Sequence, residues 1–483
     1  MAIKPLLYEL EYFPDPVTVY GFLRNEPYSS FLDSAMDHEK LGRFSFIGYD
    51  PFMVVETKGE DITALTQDGT EKFKANPFDF LKSLLSYYKT ESPNSEIPFT
   101  SGCIGYFSYD MRYFIEELPS VSTDDIALSD ITLSFYDTVF IFDNLLKKAY
   151  ISSSGLPHLD VEKNAVRAAS RLESAKKYIY SIPLGTFSGA ETACGESGFD
   201  HSKISSNFTK DEYRKAIRKA KDYIKEGDIY QVNLSQRLST EFSGDSFELY
   251  KTLRRINPAP FAAYLNYENF QIVSASPERF LKLNGKDIET RPIKGTRPRG
   301  VSEKEDARLK KELITSEKDR AEHLMIVDLE RNDIGRVCEY GSVAPTEFII
   351  TETYSTVHHL VSTVSGKLKD GVSVADCLMN CFPGGSITGA PKIRAMEIIE
   401  ELEPAKRGIY TGSIGYIDFS GNSDLSIVIR TVIVTLGTAY FQVGGGIVAD
   451  SDADKEFNET MDKARAIIEA IGIEKAKLVA VTV

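Results

Sequence analysis

The sequence predicts an α+β fold, and three observations carry that reading. Residues from about 5 to 152 fall into short β-rich segments punctuated by Gly, Pro and Asp; from about 207 to 470 strands and helices alternate; no 20–50-residue repeat or low-complexity tract interrupts either region. At 483 residues the chain exceeds the roughly 250–300 residues at which single cores stop growing, so two intertwined lobes are expected.

Met53–Thr57, Ile131–Asp143 and Lys147–Ser152 read as strands of a mostly antiparallel N-terminal region, 1–152. A helix over Val161–Tyr178 follows. The next run, SGAETACGESGFDHSKISS, is polar and lacks hydrophobic periodicity, so 153–206 reads as helix plus linker. Thr209-Lys210-Asp211-Glu212 places a carboxylate three residues after a hydroxyl, a capping-box pattern that opens a second domain, 207–472. Within it, Ile272–Arg291 reads as a hairpin turning at Asn284-Gly285, a dipeptide that tolerates the positive φ of a tight turn; a two-residue turn there puts Glu278 across from Arg291. Leu425–Val434 reads as a strand. Lys455–Ile471 reads as an amphipathic helix with Phe457, Met461, Ala464 and Ile468 on one side, and 473–483 as a tail.

Composition excludes several classes. With 71 acidic against 56 basic residues the formal charge is -15, and no basic tract offsets it, so nucleic acid is not an expected partner. No run of 18 uncharged apolar residues exists to cross a membrane, and MAIKPLLYELEYF, broken by Glu9 and Glu11, lacks the apolar core of a signal peptide. Cys103, Cys194, Cys338, Cys377 and Cys381 are scattered without a CxxC pair, against both a disulfide framework and a zinc site. A cytoplasmic protein with reduced thiols is expected.

Chemistry can reside in four patterns. On the Lys455–Ile471 helix, Glu456, Glu459 and Lys463 share one face, and a second helix, Ser316–Asp333, carries Glu317, Asp319, Glu322 and Asp328; carboxylates suit a hard cation, although spacing alone favours solvated, ion-paired faces. Phe382-Pro383-Gly384-Gly385-Ser386-Ile387-Thr388-Gly389-Ala390-Pro391-Lys392 and Gly444-Gly445-Gly446 can bring backbone N–H groups close to an anion, or be plain tight turns; neither is a GxxxxGK[ST] loop. Arg430 interrupts an apolar strand and needs water, a ligand carboxylate or a structural ion pair, the last slightly favoured. Lys294 lies between Arg291 and Arg297, cations that would help burial to deprotonate its amine, though an exposed lysine is the ordinary case. Gly102-Cys103-Ile104-Gly105 lacks the GxCxG turn of a glutaminase.

Taken in order, GDIYQVNLSQR, SPERF, TRPIKGTRPRG, AEHLMIVDLERNDIGRV, HHLVSTVSG, FPGGSITGAPKIRAMEIIEELEP, GIYTGSIGY, IVIRT, GGGIVADSD and EFNETMDKA resemble the chorismate-utilising enzymes: anthranilate synthase component I, aminodeoxychorismate synthase component I, and the isochorismate and salicylate synthases. FLDS, GRFSFIGYDP and GYFSYD extend the resemblance more weakly into the first 150 residues. It implies two large antiparallel sheets packed as a sandwich with helices outside, strands from both ends of the chain in both layers, and a site between them. It further implies Mg²⁺ held by Glu322 and Glu459 with Glu456 completing the site, and bridged to the ring carboxylate of chorismate. Tyr410, Arg430 and the backbone of Gly444, Gly445 and Gly446 would bind the other carboxylate, and Gly295, Thr296, His359 and Ser386 would line the ring and its leaving group.

Two positions separate the branches. Isochorismate and salicylate synthases generally carry a lysine base where this chain has Gln231. Anthranilate synthases resemble one another in PIAGT, whereas Pro292-Ile293-Lys294-Gly295-Thr296 is similar to the aminodeoxychorismate synthases, in which the lysine acts as a covalent nucleophile and the residue matching Glu278 as the acid for the departing hydroxyl. The resemblance thus implies an ammonia-using enzyme of p-aminobenzoate and folate synthesis that is paired with a separate glutamine amidotransferase in a heterodimer. An anthranilate synthase, or an amino-acid-binding regulator on the same fold, is the alternative. Ser34, Arg43, Phe44, Pro260, Phe261 and Ala262 match the contacts of a tryptophan pocket, although Phe31-Leu32-Asp33-Ser34 departs from LLES.

Overall fold

The computed structural model describes residues 3–36, 39–183, 203–354 and 357–481, with side chains to 477. Cys194 and most of the expected linker lie outside the described residues. Two twelve-stranded sheets dominate, with antiparallel pairings; Ser205–Ser206 and Gly389–Ala390 complete the first at its Gln231–Glu241 end, and Gly69–Lys74 and Ala344–Thr353 complete the second. The first runs, in spatial order, through Leu6–Glu9, Lys148–Ser153, Thr138–Asp143, Phe44–Gly48, Ser30–Asp33, Phe261–Tyr267, Phe270–Ser276, Thr431–Thr435, Thr438–Ile447 and Gln231–Glu241. The second runs through Ile293–Pro298, Val357–Lys367, Asp287–Arg291, Arg279–Asn284, Ser423–Ile427, Ser413–Asp418, Gly102–Phe107, Ile131–Tyr136, Met53–Lys58 and Asp61–Thr66. Both sheets thus contain strands from the N-terminal and the C-terminal parts of the chain, as the expected sandwich requires.

Alternation of side chains gives each sheet an inner and an outer apolar face. Phe46, Ile141, Leu265 and Ile272 of the first sheet share a core with Ile104, Tyr106 and Ile414 of the second, with the Phe46 and Tyr416 rings 5.2 Å apart. Helices Val161–Ser181, Ser246–Ile256 and Ala453–Val481 cover the outer face of the first sheet, and Pro77–Tyr87 and Val374–Cys381 pack on the second. The Thr209 capping box forms in full and Gly227 closes the helix Lys210–Glu226 in the left-handed conformation.

Three expected elements are divided, for one reason. Ile131–Asp143 is two strands that change sheet at Asp137, a buried carboxylate held by Arg167 at 2.9 Å and Arg171 at 3.2 Å. Leu425–Val434 is likewise two strands, Ser423–Ile427 and Thr431–Thr435, in different sheets. Ile272–Arg291 is not one hairpin: Phe270–Ser276 stays in the first sheet, and the hairpin of the second is Arg279–Asn284 with Asp287–Arg291. Its turn residues are Gly285 and Lys286, because Asn284 pairs with Asp287, and after a bulge Arg279, not Glu278, faces Arg291. Apolar content continues through each crossing because both inner faces are buried, so hydrophobicity alone does not mark the break. The final helix, Ala453–Val481, continues through most of the expected tail. No helix among the described residues is long and apolar enough to cross a membrane.

Candidate active site

Two of the sheet crossings lie side by side, and each carries one of the candidate site residues. Glu278 occupies one and Arg430 the other; Ile427 N–H donates to the Glu278 carbonyl at 3.0 Å and Ala275 N–H to the Arg430 carbonyl at 3.1 Å. Arg430 takes φ +51°, the left-handed region, where the chain leaves one sheet for the other. Its guanidinium has no ion pair or side-chain hydrogen bond among the described residues, which overturns the expected structural pair. Burial holds it below the ordinary arginine value, opposed by the charge of Glu278.

Glu278 is 5% exposed and accepts a 2.6 Å hydrogen bond from Ser386 Oγ, on the short helical turn Gly385–Ile387. Burial pushes its carboxyl above the usual range, against the Ser386 hydrogen bond and the Lys294 and Arg430 cations.

Lys294 lies on Ile293–Pro298, whose register slips between Lys294 and Thr296 at Gly295, φ +73°. Burial holds its amine below the ordinary lysine value in spite of the carboxylates of Glu322, Glu278 and Glu459. The cation that assists burial is Lys463. Arg291 is instead bound to Glu352 and Glu347, and Arg297 to Glu312 and Asp319, so the flanking arginines are neutralised and do not act as expected.

Gly444, Gly445 and Gly446 form part of the strand Thr438–Ile447, not a turn, and they matter because side chains crowd them. A Cβ on Gly446 would stand 2.6 Å from Gln231 Nε2 and 3.5 Å from Lys294 Nζ; one on Gly445 would stand 3.4 Å from Glu456 Oε2 and 3.7 Å from Glu459 Oε1. The glycine strand is therefore a floor on which Lys294, Gln231 and the acidic helix face converge. Gln231 is fully buried with neither amide atom partnered among the described residues.

His359, 2% exposed, shares a 2.8 Å hydrogen bond with Thr296 Oγ1 through Nδ1, while its buried Nε2 has no partner among the described residues. Burial, with Arg430, holds its pKa down at about 3, so the ring is neutral near pH 7 with one nitrogen available to a ligand. Tyr410 is 8% exposed and stacks with Arg407 at 5.7 Å.

Glu322 projects from the helix Glu317–Gly335, 3.8 Å from Lys318. Burial raises the proton affinity of Glu322 and Glu456, and Glu456 adds to the effect on Glu322; burial works against Glu459 ionising too, but Lys463, 2.8 Å away, holds it low. Among the described residues no three acidic, His or Cys side chains draw together as a ready metal cage. The donor chemistry nonetheless suits a hard cation that takes part of its coordination from substrate oxygens: Glu456 and Glu459 reach the same point over Gly445, and Glu322 feels both Glu456 and Lys294.

Ser34, Arg43, Phe44, Pro260, Phe261 and Ala262 line one separate cavity of about 350 Å³. Arg43 is tied there to Asp143 at 2.7 Å, and Ser34 Oγ donates to the Phe44 carbonyl at 2.7 Å.

Two residues beside the site were not anticipated: His323, held down at about pKa 4 by burial and Lys294, and Glu330, 3% exposed. Both fall on the buried stripe His323, Ile326, Val327, Glu330, Asp333, Ile334. Polar residues at helical spacing with apolar ones were the available signal.

Residues 31–469 match the family described as chorismate binding enzyme. The chain is a chorismate-binding enzyme. Its curated relatives include anthranilate synthase component 1 of Acetivibrio thermocellus, 38% identical over 94% of this chain and 92% of that one, and aminodeoxychorismate synthase component 1 of Bacillus subtilis (strain 168), 41% identical over 91% and 92%. Among solved structures, anthranilate synthase component I from Streptococcus pneumoniae TIGR4 superposes with a TM-score of 0.76 at 33% identity, covering 88% of this chain and 92% of that one. With the two curated relatives it has most of its length in common, and with the solved structure its fold.

Proposed function

We propose that this enzyme is the chorismate-aminating component of an aminodeoxychorismate synthase, converting chorismate and ammonia to 4-amino-4-deoxychorismate. The observation that carries the reading is Lys294: an amine depressed by burial, beside Gln231 and the glycine strand, in the segment where the anthranilate synthases read PIAGT. In its unprotonated form the amine forms a bond to ring position 2, the ring double bonds shift, and the bond from position 4 to its hydroxyl breaks, with Glu278 delivering a proton so that water departs. Ammonia then bonds at position 4, the bond from Lys294 to the ring breaks, and the excess ammonium proton returns to Glu278. Arg430 and Tyr410 hold one substrate carboxylate, and neutral His359 offers Nε2 to the ring face. Glu322 and Glu459, with Glu456 beside them, would hold Mg²⁺, which when bound would supply charge neutralisation at the ring carboxylate. Ammonia comes from a partner glutamine amidotransferase, as the family resemblance implies.

Product identity tests this. Wild-type enzyme with chorismate, Mg²⁺ and ammonia should give p-aminobenzoate only when the lyase that aromatises aminodeoxychorismate is added, and Lys294→Ala should lose at least about 100-fold in kcat. Direct release of fluorescent anthranilate by the wild type would refute it in favour of the second reading, anthranilate synthase component I. That reading draws on the relatives of that name and on the cavity around Ser34 and Arg43, whose volume suits a single amino acid such as tryptophan. Absence of any chorismate consumption would leave an amino-acid-binding regulator.

A further inference from the structure

Directly behind Ser386 lies a second buried carboxyl that the chemistry above does not use. Glu330 Oε1 accepts the backbone N–H of Gly385 at 3.0 Å, and its Oε2 meets Thr290 Oγ1 at 3.3 Å. The next residue of the same turn, Ser386, gives its hydroxyl to Glu278. Two carboxyls, 3% and 5% exposed, therefore hold adjacent residues of one turn. Room for anything else there is small: a Cβ on Gly385 would stand 2.5 Å from Leu329 Cδ2 and 3.2 Å from Glu330 Oε1.

The charged groups facing Glu330 are Asp333 on its own helix, Lys392 on the helix Lys392–Leu402, and Glu278 across the turn. Lys392 is committed to Asp333 at 2.5 Å and to the Cys381 carbonyl at 3.0 Å, so among the described residues Glu330 has two neutral donors and no cation of its own. An apolar side chain would fill the same space without the penalty of burying a carboxyl. The carboxyl therefore calls for an explanation other than packing.

We propose that Glu330 is a positioning residue for Glu278: it anchors the turn that seats Ser386 on Glu278, and the two buried carboxyls on that turn act as an electrostatically linked pair. Burial, then the charge of Asp333, pushes Glu330 itself well above the usual carboxylate range, with Glu278 adding to the rise, so the two carboxyls titrate as a linked pair. The sign is independent of which one ionises first. A neighbour that can become negative always raises the average protonation of Glu278 relative to a neutral one.

The proposal rests on the reading of Glu278 as the acid, and the test separates the two. Glu330→Gln keeps an acceptor for Gly385 and a partner for Thr290 but can never be charged; the alkaline limb of kcat/KM against pH should move down. Glu330→Ala also removes the anchor and should lose about 10-fold more kcat than Glu330→Gln, with little change in KM for chorismate. A limb in Glu330→Gln that superimposes on the wild type, or equal kcat in the two variants, overturns the proposal. If Glu278→Gln retains both kcat and the limb, the functional reading of Glu278 fails. In that case the infrared carboxyl band lost in Glu278→Gln decides the coupling: it should titrate at lower pH in Glu330→Gln than in the wild type, and an unmoved band refutes it.

Discussion

Replacing Arg430 separates a substrate clamp from a structural cation, because the two roles predict opposite effects on stability. The guanidinium is partly buried, without an ion pair among the described residues, and desolvated enough to depress its own proton affinity. If it binds a chorismate carboxylate, Arg430→Ala removes charge-assisted hydrogen bonds of about 2–3 kcal/mol in total, or roughly 30–150-fold in KM. Folding should be unharmed or slightly improved, since an uncompensated cation leaves the interior. The left-handed backbone at φ +51° adds a second check: Ala keeps that strain and Gly relieves about 1 kcal/mol, so Arg430→Gly should melt above Arg430→Ala. Loss of the cation also raises the folded-state pKa of Glu278, so the alkaline limb of activity should move to higher pH in Arg430→Ala, the reverse of its movement in Glu330→Gln. Steady-state kinetics across pH and a thermal melt suffice. A variant with KM within twofold of the wild type and a melting point several degrees lower would show that Arg430 is structural.

Three further outcomes are expected. Glu322→Gln and Glu459→Gln should each weaken the Mg²⁺ requirement curve by about 10–100-fold, read by titrating the metal at fixed chorismate; unchanged half-saturation in both would remove them from the metal site. Because His359 is held at about 3, the pH profile between 5 and 8 should contain no limb that disappears in His359→Asn, and finding one would contradict a neutral ring. Asp137→Ala leaves Arg167 without its carboxylate and Arg171 with Asp50 alone at a sheet crossing, and should cost about 3 kcal/mol in chemical denaturation; a loss below about 0.5 kcal/mol would show that the ion pairs do not hold the corner.

The α+β class, the capping box at Thr209 and the strands Met53–Lys58 and Lys148–Ser153 were legible in the sequence because each depends on local pattern. The sheet crossings were not. At Asp137, Glu278 and Arg430 the chain continues apolar on both sides, and what changes is the partner strand, a long-range property that periodicity does not encode. The same blindness explains the misplaced partner of Glu278, where a turn one residue later than expected and a bulge together set the register. Lys294 was found by its place in a quoted segment, but the source of its depressed amine was misassigned: Arg291 and Arg297 are neutralised by glutamates and an aspartate distant in sequence, and Lys463 comes from the last helix.

Interleaving of early and late strands has a consequence for biosynthesis. The strand Gly102–Phe107 lies between Ile131–Tyr136 and Ser413–Asp418, and Thr100 and Asp418, joined by a 2.7 Å hydrogen bond, are 318 residues apart. Throughout most of its translation, therefore, the nascent chain carries an apolar strand with one edge bare, and that edge is sealed only when the final quarter has left the ribosome. Synthesis halted before that point would yield an adhesive fragment, so production of this enzyme should depend on chaperone capacity more steeply than the length of its chain alone implies.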